Sequence, residues 1–381
     1  MAETTKKQEP GPSKGLAITY LVRFGIASPS GGRSEIENLN VIKKIREGFL
    51  DFPYASAQAM KRALRNTLKG LGYDTSPVIN TAPARTVGDP VKYIDDDLFG
   101  FMEAGSKKSE RTEINRLNGI RKAVVSMTPL LSLSAFYDNV DFGANMMGLQ
   151  AAGDPMPYET EVHRGWYRVS LYVELDRIGT GAGFITDRKE ITRAVDVMEL
   201  LKNPLEQYDF IAPVLKDKKT ELQKGFGTFK WIYGDELSTD ERYRRAKALL
   251  DAIRFLAPSG RSSNWLIDLT PKLMVAAYVK GARTPFLETP IIKLKEGDER
   301  DEINLTNIKS VYQTFRDGIE DIIVGYREDL IKKPEKADKK PDDRNEMDGN
   351  NDGIHVEEMK KAFDIIDGWL KKHFDIAEGK P

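Results

Sequence analysis

The chain has 381 residues, with 58 Lys and Arg against 59 Asp and Glu, a formal net charge of -1 and no cysteine. Without cysteine there is no disulfide framework and no thiolate metal site, and 3 histidines are too few for a convincing metal cluster. The near-neutral charge excludes a protein that coats polyanions nonspecifically, so any nucleic-acid contact must come from a local patch. The length is sufficient to bury a sizeable core.

The first segment, residues 1–14, is polar and contains Pro and Gly, which predicts a disordered tail. It lacks the apolar core of a signal peptide, and no run in the chain approaches the ~20 apolar residues of a membrane span. The sequence therefore predicts a cytoplasmic protein without a membrane partner. The alternating stretch 16–26 follows and is the first predicted strand.

The stretch YASAQAMKRALRNTLKGL, residues 54–71, has the periodicity of an amphipathic helix. We expect Ser56 to cap its N-terminus, where the helix dipole and free backbone N–H groups favour phosphate. Considered alone, its basic residues are explained more simply as an ordinary exposed face. The predicted apolar face contains Met60, Ala63, Leu64 and Leu71, and the predicted polar face contains Gln58, Lys61, Arg62, Arg65 and Lys69.

Polar and irregular segments flank this helix. The turn-rich segment 28–40 precedes it and carries Arg33, Asn38 and Asn40. The segment 74–118, with three prolines and a mixed-charge run, predicts a protruding subregion. Its carboxylates at residues 95–97 could hold a divalent ion or act as acid and base, but a capped, solvated turn beside Leu98 and Phe99 is the simpler interpretation.

The remaining pattern predicts an α+β protein. Strand, helix, two strands, helix and strand follow one another in the β-α-β-β-α-β order of a ferredoxin-like fold. A long insertion separates the two middle strands, and an insertion of this length indicates a functional role. After the first strand and helix, the predicted strands are 121–134, 166–175 and 271–280, and the predicted helices are 186–201, 238–256 and 306–326. We expect a charged linker at 331–355 and a weakly docked helix within 356–381.

Several motifs of known enzymes lack the context that they require. Residues 141–143 spell the kinase triplet Asp-Phe-Gly without the other kinase motifs. The glycines of 179–183 lack the third glycine position and the helix of a dinucleotide site, so a turn is predicted. Residues 348–353 open like a calcium loop, but Met359 stands where its glutamate belongs. For His163 a packing or hydrogen-bonding role is expected. The sequence thus predicts no metal and no cofactor.

Four segments in order resemble the backbone subunit of type I CRISPR effector complexes, in its DevR autoregulator branch, with subtype I-B favoured. These segments are GIASPSG (25–31), YASAQAMKRALR (54–65), DDDLFGFM (95–102) and SLSAFYDNVDFGANMMG (132–148). The resemblance implies a hand-shaped protein. Its RRM-like palm spans residues 15–330, with fingers at about 74–118 and a thumb at about 136–164.

The resemblance also implies a function. The subunit is not an enzyme; it polymerises along a CRISPR RNA and presents that guide for pairing with target DNA. Its implied partners are the RNA, the target DNA by way of the guide, copies of itself, a handle-capping subunit, a large PAM-reading subunit, small subunits and a recruited helicase-nuclease. The implied RNA-binding residues are Arg33, Asn38, Asn40, Ser56, Gln58, Lys61, Arg62, Arg65, Met146, Met147 and Arg261.

Some of these assignments leave alternatives open. Met146 and Met147, which would wedge against a base, are equally well explained as core filler. Arg261 lies in the loop SGRSSN, which is equally well an ordinary connection. A rival function is a metal-dependent endoribonuclease of the type III backbone kind, using residues 95–97 or Asp141. DNA-binding autoregulation is a third possibility, but no segment resembles a helix-turn-helix.

Overall fold

The computed structural model describes twelve parts of the chain. These are residues 13–34, 36, 38–79, 85–102, 120–145, 156–185, 227–232, 237–258, 265–281, 284–295, 300–333 and 353–377. The predicted helix 186–201, Met146, Met147 and Arg261 lie outside them. Among the helices that are described, none has the length and apolar composition needed to cross a membrane.

Helices and strands alternate along the described residues. The helices are α1 (Ala57–Gly70), α2 (Ile94–Phe99), α3 (Thr239–Arg254), α4 (Leu305–Thr314) and α5 (Met359–His373). Short 3-10 turns cover Leu175–Arg177 and Arg316–Gly318. The strands are β1 (Lys14–Ala27), β2 (Leu39–Asn40), β3 (Lys44–Glu47), β4 (Leu50–Ala55), β5 (Val78–Ile79), β6 (Arg85–Thr86), β7 (Phe101–Met102), β8 (Ile120–Arg121), β9 (Val125–Met127), β10 (Leu130–Ser132), β11 (Val140–Asn145), β12 (Met156–Glu161), β13 (His163–Glu174), β14 (Thr180–Ile185), β15 (Gly227–Ile232), β16 (Leu273–Lys280), β17 (Ile292–Lys293), β18 (Asp301–Ile303), β19 (Ile319–Tyr326), β20 (Ile331–Lys332) and β21 (His355–Glu358).

A 9-stranded sheet organises this mixed α/β protein, in the order β21-β19-β16-β1-β13-β10-β4-β3, with β9 also paired to β13. The pairing is antiparallel except between β19 and β21, which run parallel. The first predicted strand is β1, the second is divided into β9 and β10, the third is β13 and the fourth is β16. In the sheet these strands lie side by side in the order β16, β1, β13 and β10.

Both faces of the sheet are buried, as the central strand β1 shows. Alternate side chains of β1, from Leu16 to Phe24, enter one core cluster with α1, α3 and α5. Ala17 and Leu21 enter a second cluster on the opposite face, which α4 and the strands β18 and β20 help to cover. Because strand side chains alternate between faces, one strand serves both layers. The sheet therefore lies between two layers, and α1 belongs to the same layer as α3 and α5.

The C-terminal part of the chain corrects three predictions. Residues 306–326 are not one helix, because α4 ends at Thr314 and strand β19 follows. The ends of the predicted linker 331–355 belong to β20 and β21. The last helix is not weakly docked: α5 buries Phe363, Ile366 and Leu370 in the same core cluster as α1. At the other end of the chain, β1 begins at Lys14, inside the predicted tail.

Candidate nucleic-acid interface

Helix α1 begins as its sequence predicts. Ser56 is the N-cap, and its side-chain oxygen accepts a hydrogen bond from the N–H of Ala59 at 3.3 Å. The first turn contains no acidic residue, so nothing on the helix itself neutralises the positive end of its dipole. Met60, Ala63 and Leu64 are buried as expected, but Leu71 lies beyond the helix and is 41% exposed. The N-terminus of α1 is thus suited to an anionic group.

A cleft of about 370 Å³ opens beside this N-terminus. Gln58 and Arg62 of α1 and its N-cap Ser56 contribute to one wall, and Lys43 contributes from the chain before β3. The apolar part of the lining comes from Met60, Ala63, Leu130, Ile267 and Leu269. A cationic rim beside an apolar floor matches the two components of single-stranded nucleic acid, the phosphates and the ribose or base. The sequence does not predict Lys43 as a site residue, because Lys43 lies outside α1, in the chain before β3, and no helical spacing connects it with the cleft.

Hydrogen bonds fix the wall of the cleft opposite α1, which the turn Pro29–Gly31 supplies. Ser30 donates its hydroxyl to the carbonyl of Tyr54 at 2.7 Å and accepts from the N–H of Lys43 at 3.1 Å. Gly32 donates to the carbonyl of Val41 at 2.8 Å, and a Cβ on Gly32 would lie 2.8 Å from the Val41 side chain. Glycine is therefore required for this close approach, and the cleft is preformed.

The basic face of α1 divides into two flanks. Arg62 faces the cleft, whereas Arg65 lies on the side of α2, about 60° away around an axis with 3.6 residues per turn. Arg65 donates from Nε to Asp95 Oδ2 at 3.1 Å, and its guanidinium lies 5.0 Å from the Phe99 ring centroid. Burial, and then the charge of Arg65, lower the pKa of Lys61 on the same flank. The flank that faces the cleft therefore carries an exposed guanidinium, whereas the guanidinium on the flank that faces α2 is paired with a carboxylate.

The three consecutive aspartates correct a prediction of the sequence. They do not form a solvated turn, since Asp95, Asp96 and Asp97 are each 0% exposed and belong to α2. Asp96 Oδ2 accepts from the N–H groups of Gly88 and Asp89, both at 2.9 Å. Burial, which disfavours the charged form, raises the pKa of Asp96.

Asp97 is paired with two arginines from distant parts of the chain. Arg121 donates from Nη2 to Asp97 Oδ1, and Arg245 donates from Nη1 to Oδ2 at 3.0 Å. The N–H of Gly179 also donates to Oδ2, at 3.0 Å. Within the described ranges, no group of three or more His, Asp or Glu side chains is arranged to hold a metal ion. Both carboxylate oxygens of Asp97 are therefore occupied by contacts within the fold.

The candidate residues in the loop after β1 differ in exposure and in hydrogen bonding. Arg33 and Asn38 are exposed, and Asn38 adopts the left-handed region with φ 63°. Asn40 is half-buried in β2 and donates from Nδ2 to Thr160 Oγ1 at 3.3 Å. Since β2 pairs in parallel with β12, this loop packs against the insertion between β10 and β13.

That insertion contains an antiparallel hairpin of β11 and β12. Phe142 is 67% exposed on β11, and Tyr158, 44% exposed on β12, lies against Gly143. Asp141 is exposed and not surrounded by other acidic ligands in the described part of the chain. Met146 and Met147, outside the described residues, follow β11. Exposed aromatic rings on a hairpin offer surfaces on which bases stack.

His163 has the hydrogen-bonding role that the sequence predicts. It is buried, with Nδ1 at 2.8 Å from the Tyr167 hydroxyl and Nε2 at 3.3 Å from the Ala135 carbonyl. A neutral ring satisfies both partners, because Nε2 donates to the carbonyl while Nδ1 accepts from the hydroxyl. Burial lowers the pKa of His163.

The neutral state of His163 predicts a pH dependence of stability. The folded-state pKa lies below the ordinary value of 6.5, so the unfolded chain binds the proton first as pH falls. Stability is therefore expected to decrease as pH falls from the unfolded pKa towards the folded one. Chemical unfolding at a series of pH values measures this slope. A His163→Gln variant should flatten it in part, since burial also lowers the pKa of His373; an unchanged slope would contradict this assignment.

Together these features define the class of the molecule: a mixed α/β protein with a preformed cationic cleft at a helix N-terminus. Its family follows from comparison with known proteins. The model of the family described as CRISPR-associated negative auto-regulator DevR/Csa2 matches residues 60–297. The match covers more than half of the chain, and the protein belongs to this family, which confirms the resemblance found in the sequence.

Individual relatives match less extensively. The curated CRISPR-associated protein Cas7/Cst2/DevR of Myxococcus xanthus (strain DK1622) is 36% identical over 93 residues, which are 23% of this chain and 30% of the relative. The match thus spans less than a third of that relative's length. A solved CRISPR RNA-guided surveillance complex chain has 13% identity and a TM-score of 0.44, covering 85% of this chain and 95% of its own. Another, from a pre-nicking complex, has 10% identity and a TM-score of 0.47, covering 93% and 100%.

Proposed function

We propose that the protein is a CRISPR RNA-binding backbone subunit of a type I effector complex. The observation that carries this proposal is the cleft beside α1, where Gln58, Arg62 and Lys43 surround a capped helix N-terminus. Membership of the DevR/Csa2 family supports it independently, because the family match includes most of this helix. The guide RNA is the anionic polymer that would occupy the cleft.

The geometry favours holding the RNA backbone over reading bases. Helix N–H groups and the Arg62 guanidinium recognise phosphate in any sequence, and the apolar floor accommodates ribose. Contacts of this kind fix the path of a strand but carry no sequence information. Bases that point away from the cleft remain available to pair with target DNA, so specificity is delegated to the guide.

The domain roles are part of this proposal. The strands β1, β9 with β10, β13 and β16, with α1 and α3, would form the RRM-like palm, and the segment around α2 would form the fingers. The β11–β12 hairpin would be the thumb, with Phe142 available to stack on a base. Arg33 and Asn38, which are exposed, would lie along the strand beyond the cleft.

The same proposal assigns no catalysis to the chain. The rival endoribonuclease needs carboxylates that reach a metal ion and RNA, whereas Asp97 is fully buried and paired with Arg121 and Arg245. Further copies of the chain along the guide, the other complex subunits, and a helicase-nuclease that cuts the target complete the assembly that we propose. Intact target RNA after prolonged incubation with the assembled complex and magnesium is the expected result.

Neutralising Arg62 tests the cleft. Arg62→Gln is expected to weaken binding of guide-length single-stranded RNA by about tenfold, the cost of losing one charged hydrogen bond. It should also reduce the salt slope of binding by about 0.7, the value for one phosphate contact on a single strand. Titration of labelled RNA over a salt series measures the affinity and the salt slope. Lys43→Gln should lower both by similar amounts.

Lys69 provides the matched control for these variants. It is exposed on the last turn of the same helix and does not line the cleft. Lys69→Gln should leave affinity and slope close to wild type. Equal effects of Lys69→Gln and Arg62→Gln would show that the RNA is attracted by the general charge of the helix and would refute the cleft as its site.

A further inference from the structure

Helix α2 meets α1 on the flank next to the one that faces the cleft, and Asp95 is the residue that joins the two helices. Its Oδ2 accepts from Arg65 Nε at 3.1 Å, while its Oδ1 accepts from the N–H of Ser76 at 2.7 Å. The carboxyl side chain is 1% exposed, and the Arg65 side chain is 26% exposed. One buried carboxylate thus connects the middle of α1 to the segment that follows that helix.

The support behind Asp95 is rigid. The Ile94 N–H donates to the Asp74 carbonyl at 3.3 Å, and the Val124 N–H donates to the Leu98 carbonyl at 2.9 Å. Phe99 lies under the Arg65 guanidinium at 5.0 Å from its ring centroid. Arg65 is therefore held by charge on one side and by an aromatic face on another, which leaves it few alternative rotamers.

We propose that Asp95 and Arg65 are positioning residues for the RNA-binding cleft. Their ion pair fixes the rotation of α1 about its axis and thereby sets the distance between Arg62, on the other flank, and Lys43 across the cleft. This inference rests on the proposed function and revises one part of it. Arg65, which the sequence places on the RNA, acts through Asp95 and α1 instead of touching phosphate.

A rotation of α1 would alter the cleft directly. Arg62 lies three residues before Arg65, so the two side chains leave the axis about 60° apart in direction and about 4.5 Å apart along it. The apolar contacts of Met60 and Leu64 resist sliding of the helix, but they have no preferred direction. An ion pair with a defined hydrogen bond does have one. Loss of the pair would leave α1 folded and its cationic groups misaligned.

Positioning and direct binding predict opposite results for Asp95→Asn. If Arg65 touches phosphate, releasing it from Asp95 preserves or strengthens RNA binding, and Arg65→Gln lowers the salt slope by about 0.7. If the pair positions α1, Asp95→Asn and Arg65→Gln weaken binding by a similar factor, about fivefold. Neither then changes the slope, because neither removes a phosphate contact.

The experiment measures RNA affinity over a salt series and unfolding by urea for the full chain and three variants. These are Asp95→Asn, Arg65→Gln and the double substitution. We expect the double variant to bind no more weakly than either single one, since both singles break the same pair. Wild-type slopes with non-additive losses of affinity support the proposal. A lower slope for Arg65→Gln, or unchanged affinity in both single variants, overturns it.

Two further arms keep the result decisive. Should Asp95→Asn not fold, Arg65→Gln is compared with Arg65→Lys, which retains the charge opposite Asp95. Affinity rescued by lysine but not by glutamine, at a constant slope, again supports positioning. Arg62→Gln reports separately on the proposed function: if wild type binds no RNA, or Arg62→Gln has no effect, it is the cleft assignment that fails and not the pairing.

Discussion

An Asp97→Ala variant is expected to lose about 3–5 kcal/mol of folding free energy, the cost of breaking a buried ion pair by removing one partner. The exposed fractions of the Arg121 and Arg245 side chains are only 6% and 3%, so both guanidiniums would lose the Asp97 carboxylate in a buried environment, while Arg245 would keep its ion pair with Glu241. The Gly179 N–H would lose its acceptor as well.

Equilibrium unfolding in urea measures this loss, with Asp141→Ala as the control. Asp141 is also an aspartate but is exposed on β11, so its replacement should change the free energy of unfolding by less than about 0.5 kcal/mol. Asp97→Asn, which retains the shape and removes the charge, should fall between the two. A loss below about 1 kcal/mol in Asp97→Ala would mean that the arginines find other acceptors.

The sequence predicts α1 well because the information is local. A serine before the first turn and apolar residues at helical spacing lie within one segment, and the structure confirms Ser56 as the cap and Met60, Ala63 and Leu64 as buried. The strand pattern of β1 and β16 is equally readable, since alternation or a continuous apolar run is a property of a few adjacent residues. These elements position the candidate cleft.

The environment of the aspartates could not be predicted in this way. Three consecutive carboxylates suggest a solvated turn unless their cationic partners are known, and Asp97 finds those partners 24 and 148 residues away in the sequence. No spacing rule connects Asp97 with Arg245. The same limit applies to Arg65, which has the helical position of an RNA ligand and is held by a carboxylate 30 residues further on.

The predictions for the C-terminal region are wrong for a different reason. Residues 306–326 contain apolar positions that suit a helix or a strand over short windows, and only pairing with β16 decides that β19 is a strand. Helix α5 follows a charged segment, and such a segment suggests separation from the core. In the structure β21 extends the sheet beside β19, which brings α5 back onto it.

Helix α5 is therefore expected to be essential to the stability of the whole protein. Leu370→Ala, at a side chain that is 1% exposed, should cost about 2–5 kcal/mol, as for other leucines deleted from a packed core. Ile366, which is 0% exposed, should show a loss of the same size when replaced by alanine. Thermal and urea unfolding, followed by circular dichroism, measure both.

Lys360→Ala on the exposed face of α5 separates packing from helix formation. The substitution keeps helix propensity high and removes no buried contact, so the free energy of unfolding should stay within about 0.5 kcal/mol of wild type. If α5 were instead a loosely attached appendage, Leu370→Ala would resemble Lys360→Ala and would not lower the main unfolding transition. A single cooperative transition that moves with Leu370→Ala would show that α5 shares the core of α1. The stability of the candidate cleft would then depend on residues beyond the family match at 60–297.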